Sequence, residues 1–512
     1  MLPDRKVGPL PHTKRKALFH IAGAVVVAWW LVLMGIWIHR DIDESPQASE
    51  IKGERAALDH LQRDWFEIYL EGRKVGYAMN QISPLENALL IQEEIVLNLT
   101  LMGQSSGMRS LTRAVVDQDF SLQNFLFTVT SGVVTFQVSG QVDGHVMHVQ
   151  AGEGGDQEQF TLQLGGPVMI GAGLSHFFRG RRLAPGQSFS FSLFDPSAMS
   201  RRQVKIRVAE KTQVKINNIP YPAYRLDMRM FDQDLSFWVD EQGALLQEEG
   251  FMGLRLVKSS GAEATKGMGQ GEGVDFYELA AISVEPELSR PRSIRQLTVR
   301  LKGIRPSALD QAAVNQGRQR LSGDVLEIVQ EKTPLEAGYR LPYTAVSERM
   351  RPYLEPELTI QSEHPLILEK AREIAAGETD PVQAGRRLMQ WVYFNVKKRP
   401  VASVPSALEV LKRRVGDCNE HAALLTALLR ALRIPARVCA GLVYTKGRFY
   451  YHAWVEAYVG TWISLDPTLN QVPVDAAHIK LTQGPMEKQV DLIALMGNLQ
   501  LDVMDYAHDS PP

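Results

Sequence analysis

From about Asp64 to Lys258, apolar and polar residues alternate in short runs broken by glycine. A two-residue period puts successive side chains on opposite faces, so these runs predict strands with one buried face. "WFEIYLEGRKVGYAMNQIS" reads as two strands turning at Glu71-Gly72-Arg73-Lys74. "FLFTVTSGVVTFQVSGQVDGHVMHVQAG" continues the series, with turns expected at Ser131-Gly132, Ser139-Gly140 and Asp143-Gly144. "LSFWVDEQGALLQEEGFMGLRLVKS" ends it, turning at Glu241-Gln242-Gly243. Serial hairpins of this kind predict one large, curved antiparallel sheet over residues 60–258.

The pattern then changes. Residues 259–273, "SSGAEATKGMGQGEG", are small and polar with five glycines and read as a linker. Residues 274–350 read as a small connecting β module that includes the strand "IRQLTVRLKGI". From about Glu355 the period becomes helical: "HPLILEKAREIAAG" and "PVQAGRRLMQWVYFNVKK" are two helices, the second with Leu388, Trp391, Val392 and Phe394 on or near one apolar face. This α+β core extends over 355–484, and residues 485–512 are left as a C-terminal tail.

The N-terminus carries a different signal. Ala17 to Ile38 is a run of 22 residues without Asp, Glu, Lys or Arg. At about 1.5 Å per residue it matches a bilayer core of roughly 30 Å. Arg5, Lys6, Lys14, Arg15 and Lys16 precede it, and Asp41, Asp43 and Glu44 follow. The expectation is a transmembrane helix over 17–38, with residues 1–16 cytoplasmic and the bulk of the chain periplasmic, a single-pass membrane protein. A cleaved signal peptide fits less well, because the apolar run is too long and no small-x-small site follows.

Composition removes several classes. Hydrophobic residues make up 45% and charged residues 22%, an ordinary globular balance. A formal net charge of −2 gives no reason to expect a nucleic-acid partner. The two cysteines cannot build a disulfide framework, and no Cys/His cluster has zinc-ligand spacing, so neither a metal nor another cofactor is expected.

The candidate chemistry lies in 415–442, "VGDCNEHAALLTALLRALRIPARVCAGL". Gly416-Asp417 breaks the chain just before Cys418, and Leu424, Leu425, Leu428, Leu429 and Leu432 mark an amphipathic helix after it. Cys418 therefore stands in the first helical turn, where the dipole favours a thiolate and lowers the thiol pKa. Two other readings stand beside the nucleophile: a small buried residue, or half of a Cys418–Cys439 disulfide. Cys439, between Val438 and Ala440, reads as packed in a buried strand. A thiolate nucleophile needs a base, and the base needs a third group to orient it. "YYHAWVEAYVGTWISLDPTLNQ" reads as two strands joined near Gly460. In that hairpin His452 comes opposite residue 468, so Asp466 lies two residues away on the same face, within diagonal reach. Cys418, His452 and Asp466 make a plausible triad. Asp417 and Glu420 read as turn and first-turn residues, His421 as solvated or capping, Trp454 and Trp462 as core, and His478 as structural.

"RVGDCNEHAALLTALLRALRIPARVCAGLVY" followed by "HAWVEAYVGTWISLDPT" resembles the core of the transglutaminase-like superfamily, a papain-like cysteine fold. The Gly-Asp-Cys turn, leucine-rich helix, Ile-Pro-Ala-Arg strand entry, His-x-Trp strand and Trp-x-x-x-Asp-Pro strand all occur in order, over about residues 360–484. The resemblance implies Cys418 as nucleophile, His452 as acid/base and Asp466 as orienting carboxylate, acting on a protein or peptide substrate. No position matches the family's oxyanion-hole side chain, which leaves that role to backbone N–H groups near Cys418. The expected fold class is α+β: an N-terminal transmembrane helix, a large antiparallel β-sheet domain, then a papain-like core. The expected function is a membrane-anchored, bacterial-type enzyme that transfers an acyl group from an amide through a thioester. The competing expectation is a non-catalytic binding or scaffold module of a membrane-associated assembly.

Overall fold

The computed structural model describes residues 60–508, apart from 102, 133, 153–157, 231–232, 268–274, 335–336, 400–403, 486–487, 490–491 and 493–494. The transmembrane helix expected over 17–38 lies outside the described residues. Among the described residues no helix is long and apolar enough to cross a membrane. The longest, Pro381–Asn395, has 15 residues and a length of about 22 Å, short of a bilayer core of roughly 30 Å. The expected fold class is corrected accordingly: the described residues are mostly β, no helix among them spans a membrane, and the single-pass placement lacks support. An apolar run shows that hydrophobic surface needs cover; its composition alone does not identify a bilayer as that cover.

The alternating region folds into one 15-stranded sheet. Strand Gln62–Leu70 sits mid-sheet, and the chain meanders outward from it to Glu158–Gln163 at one edge. It then crosses to Met169–Ile170 at the other edge and returns strand by strand to Arg255–Ser259, which pairs with Gln62–Leu70. The two wings face each other: Phe125 of one lies 5.3 Å from Phe194 of the other, ring centre to ring centre. The short helix Gly171–Phe177 supplies Phe177, which packs edge-on against Phe120, Phe178 and Phe191. Turns fall at Glu71-Gly72, Gly132, Gly144 and Gly243, all with positive φ. Ser139-Gly140 is not a turn. Gly140 lies inside strand Val134–Asp143 opposite Phe125, whose ring comes within 2.4 Å of where a Cβ would stand. Glycine is there to admit an aromatic ring rather than to bend the chain.

The sequence expected as a linker contributes a helix, Gly261–Thr265, capped by Ser260 and laid against the Trp65 ring. The connecting module forms a four-stranded sheet from Gln319–Ser322, Val325–Val329, Ile294–Lys302 and, at its edge, Gln500–His508. The tail thus supplies a strand, because residues of alternating character at the chain end find an open edge on Ile294–Lys302.

The core that holds the candidate site is a sheet ordered Ile282–Ser283, Arg448–Tyr458, Ala436–Thr445, His478–Gln483, with Trp462–Leu465 also paired to Arg448–Tyr458. Four helices pack with it: Pro365–Ala375, Pro381–Asn395, Ala407–Arg413 and Cys418–Ala431. Each starts at a side-chain cap, from His364, Asp380, Ser406 and Asp417 in turn. Leu424, Leu425, Leu428 and Leu429 are completely buried, each stabilising the fold by roughly 1.5–3 kcal/mol. In Pro381–Asn395, Leu388 and Val392 are buried, but Phe394 is 74% exposed. At about 100° per residue Phe394 lies some 200° from Val392, on the opposite side of the helix.

Candidate active site

Cys418 is the first residue of helix Cys418–Ala431. Asp417 caps it: its Oδ1 accepts from the N–H of Asn419 at 2.9 Å, and Glu420 Oε2 accepts from the N–H of Asp417 at 2.9 Å. This reciprocal box fixes the turn that presents the thiol. Gly416 is required beneath it, since a Cβ would stand 2.3 Å from the Glu420 Cβ. The Cys418 sulfur accepts a hydrogen bond from the backbone N–H of Ala453, the residue after His452. Both cysteines are free and buried, so the disulfide reading fails. Cys439 packs in its strand with Trp454 and Val474, as a core residue.

The electrostatics at Cys418 run against the simple helix-dipole expectation. Burial pushes its thiol well up, and the neighbouring Asp417 carboxylate pushes further in the same direction. Only the N–H of Ala453 pulls it down. Burial, followed by the Asp417 charge, also raises Glu420 well above the usual carboxyl range. At rest the site therefore holds a thiol.

His452 and Asp466 are brought into contact: Nε2 of His452 donates to Oδ2 of Asp466 at 2.8 Å. The strand register is the expected one, with Tyr458 opposite Trp462 and Val455 opposite Leu465. The ladder stops there, and Asp466 turns back on itself; its Oδ1 accepts from the N–H groups of Thr468 and Leu469 at 2.7 and 2.9 Å. Burial opposes ionisation of Asp466, but the His452 and His478 imidazoles outweigh it and hold the carboxyl far below its usual range. An ionised carboxylate only accepts, so the bonded Nε2 of His452 carries a proton. No hydrogen bond joins His452 to Cys418; the sulfur meets the neighbouring backbone instead.

Two groups in the site go beyond the sequence reading, which gave His478 only a structural role and did not name Tyr277. His478 Nε2 donates to the same Asp466 Oδ2 at 3.2 Å, and its Nδ1 donates to Asp475 Oδ1 at 2.9 Å. Tyr277, from helix Phe276–Ala280, donates its hydroxyl to Asp417 Oδ2 at 3.1 Å over the nucleophile turn. Neither has a local signature: Tyr277 lies 140 residues before Asp417, and His478 arrives through a strand pairing. His421 is not solvated. It is fully buried, with Nδ1 2.6 Å from the Asp417 carbonyl and Nε2 3.3 Å from that of Val396.

His452, Asp466 and His478 offer polar atoms within 4.8 Å of one another, a grouping of the kind that can hold a metal ion. Their spacing along the chain conceals this from a search for short zinc motifs. In the structure these contacts are hydrogen bonds, and both Asp466 oxygens are already engaged.

Comparison with known proteins gives two family matches. Residues 369–467 match the transglutaminase-like superfamily, and residues 66–249 match a family described as a protein of unknown function (DUF3108). An uncharacterized protein of Mycobacterium leprae is 33% identical over 89 residues, a match covering 15% of this chain and 31% of that relative. The chain thus spans about a third of the length of the curated relative it matches. Among solved structures, a candidate cysteine protease from Cytophaga hutchinsonii is 17% identical, covering 43% of this chain and 90% of its own, with a TM-score of 0.29. A DUF1089 family protein from Pseudomonas aeruginosa is 15% identical, covering 39% and 94%, with a TM-score of 0.22.

Proposed function

We propose, on the premise that residues 369–467 belong to the transglutaminase-like superfamily, that the chain is an acyl-transfer enzyme using Cys418, His452 and Asp466. The observation that carries this reading is the Cys418 sulfur resting on the N–H of Ala453, next to a histidine whose Nε2 is anchored on a buried carboxylate. Because the resting sulfur is a thiol, His452 acts as general base during attack rather than as partner of a standing thiolate.

Nδ1 of His452 takes the thiol proton as sulfur bonds to the carbonyl carbon of a protein or peptide amide. Asp466 stabilises the imidazolium that forms. The proton then passes to the amide nitrogen, the C–N bond breaks, the amine leaves, and a thioester remains on Cys418. An amine or water attacks the thioester with His452 again taking a proton, the C–S bond breaks, and the thiol is restored. The N–H of Cys418 makes no hydrogen bond among the described residues and is free to receive the carbonyl oxygen in the tetrahedral intermediate. Transamidation, deamidation and peptide hydrolysis share these steps and differ only in the acceptor.

The burial of Cys418 favours a second reading, a non-catalytic binding module. Iodoacetamide separates the two. On the catalytic reading Cys418 alkylates faster than free cysteine at pH 7, Cys418→Ala abolishes the labelling, Cys439→Ala leaves it, and His452→Ala slows it. Labelling no faster than free cysteine supports the binding module instead.

A further inference from the structure

His478 donates from both ring nitrogens, each to a carboxylate oxygen, Asp466 Oδ2 at 3.2 Å and Asp475 Oδ1 at 2.9 Å. Carboxylates supply no proton to these bonds, so the ring that satisfies both is an imidazolium. The ring is completely buried and meets Trp454 edge-on at 5.5 Å and His452 at 6.0 Å. Asp475 is itself tied in place: its Oδ1 accepts from the N–H of Ala477 and its Oδ2 from Gln471, at 2.9 and 3.0 Å.

This arrangement matters for the base. A buried Asp466 whose only cationic partner was His452 would hold the proton on His452 and keep it from accepting one from the thiol. We propose that His478, held by Asp475, is a positioning residue that gives Asp466 a permanent counter-charge, so that His452 is free to be neutral and to act as base. The inference rests on the roles of Cys418 and His452 given above. The other charged groups facing this cluster are Arg318, which donates to the carbonyls of Asp475 and His478 and pairs with Glu331 at 3.3 Å, and Lys398, whose charge reaches Asp466. Neither bonds the Asp466 carboxylate. The strong upward displacement of the His478 pKa, to about 9, agrees with the geometry.

The test is the pH profile of Cys418 alkylation by iodoacetamide in the full chain. His478→Gln keeps a donor toward Asp466 and loses the positive charge; His478→Phe loses both. In each, His452 retains its proton to higher pH, so the rising limb of the profile moves up by about one pH unit and the rate below it falls about tenfold. A structural role lowers the melting temperature without moving the limb. A limb within a few tenths of a unit of wild type in a folded His478→Gln protein overturns the inference. If neither His478 variant folds, Asp475→Asn decides: weakening the hold on His478 shifts the limb upward, and an unchanged limb is the overturning result. The same series includes His452→Ala. If wild-type Cys418 is no faster than free cysteine, or if His452→Ala does not slow it, the acyl-transfer reading fails; if both controls hold and the limb stays, only the role of His478 falls.

Discussion

Glu456→Gln probes the scaffold that carries both histidines of the site. Glu456 stands on the His452 strand and is enclosed by two cations. Arg437 donates its Nε to Oε2 at 2.9 Å, and Lys480 donates its Nζ to Oε1 at 2.7 Å. Both cations are nearly inaccessible, and Arg437 lies 4.1 Å over the Trp462 ring. Burial alone would raise the Glu456 pKa, but Lys480 and Arg437 outweigh it and lower it from 4.5 to about 2. That displacement, at 1.36 kcal/mol per unit, amounts to about 3 kcal/mol of stability. Because the folded value is depressed, the contribution is present above about pH 4.5 and is lost as pH falls through about 2. Replacing Glu456 with Gln strands two buried cations, for which roughly 3–5 kcal/mol is the usual loss. The expected result at pH 7 is a urea midpoint lowered to match about 3 kcal/mol, with faster amide exchange in strands Ala436–Thr445 and Arg448–Tyr458. Adding Lys480→Met recovers part of the loss. A Glu456→Gln protein within about 1 kcal/mol of wild type would refute the reasoning, since it would mean the three charges are solvated in solution.

Two further predictions concern the strands that meet at the site. Gly441 lies opposite His452, and a Cβ there would stand 2.0 Å from the Ile479 carbonyl oxygen, so Gly441→Ala must part the His478 strand from its neighbour; circular dichroism melting should show a severely destabilised or unfolded core, and a wild-type melt would contradict the packing. His478, with its pKa raised to about 9, contributes stability that is complete below about pH 6.5 and disappears as pH rises through 9, about 3 kcal/mol in all. Urea unfolding at pH 6.5, 7.5 and 8.5 should show wild type weakening relative to His478→Gln, and parallel curves would contradict a cationic His478.

Much of the candidate site was legible in the sequence because its parts are local. The Asp417 cap, the leucine face and the 452/466 hairpin register each follow from short-range periodicity and turn chemistry, and the structure pairs the hairpin in that register. What escaped depends on pairings distant in the chain. His478 reaches Asp466 because its strand adds to Ala436–Thr445 across the sheet, and Tyr277 reaches Asp417 from the segment after the linker. The Cys418 thiol was expected low from its helix terminus. Burial and the Asp417 carboxylate push it up instead, and neither is visible before the fold closes. In the same way Gly140 looked like a turn until Phe125 was found across it, and the tail looked free until its strand met Ile294–Lys302. The transmembrane expectation rested on the apolar content of 17–38 and has no counterpart among the described helices.

The most direct measurement is intact-mass detection of an acyl group on Cys418 during reaction of the full chain with a small activated ester. Acyl transfer through Cys418, with His452 as base, predicts one acyl adduct per chain that maps to Cys418, absent in Cys418→Ala and formed at least about a hundredfold more slowly in His452→Ala. An adduct that forms no faster than on free cysteine, or that forms equally fast without His452, would contradict it.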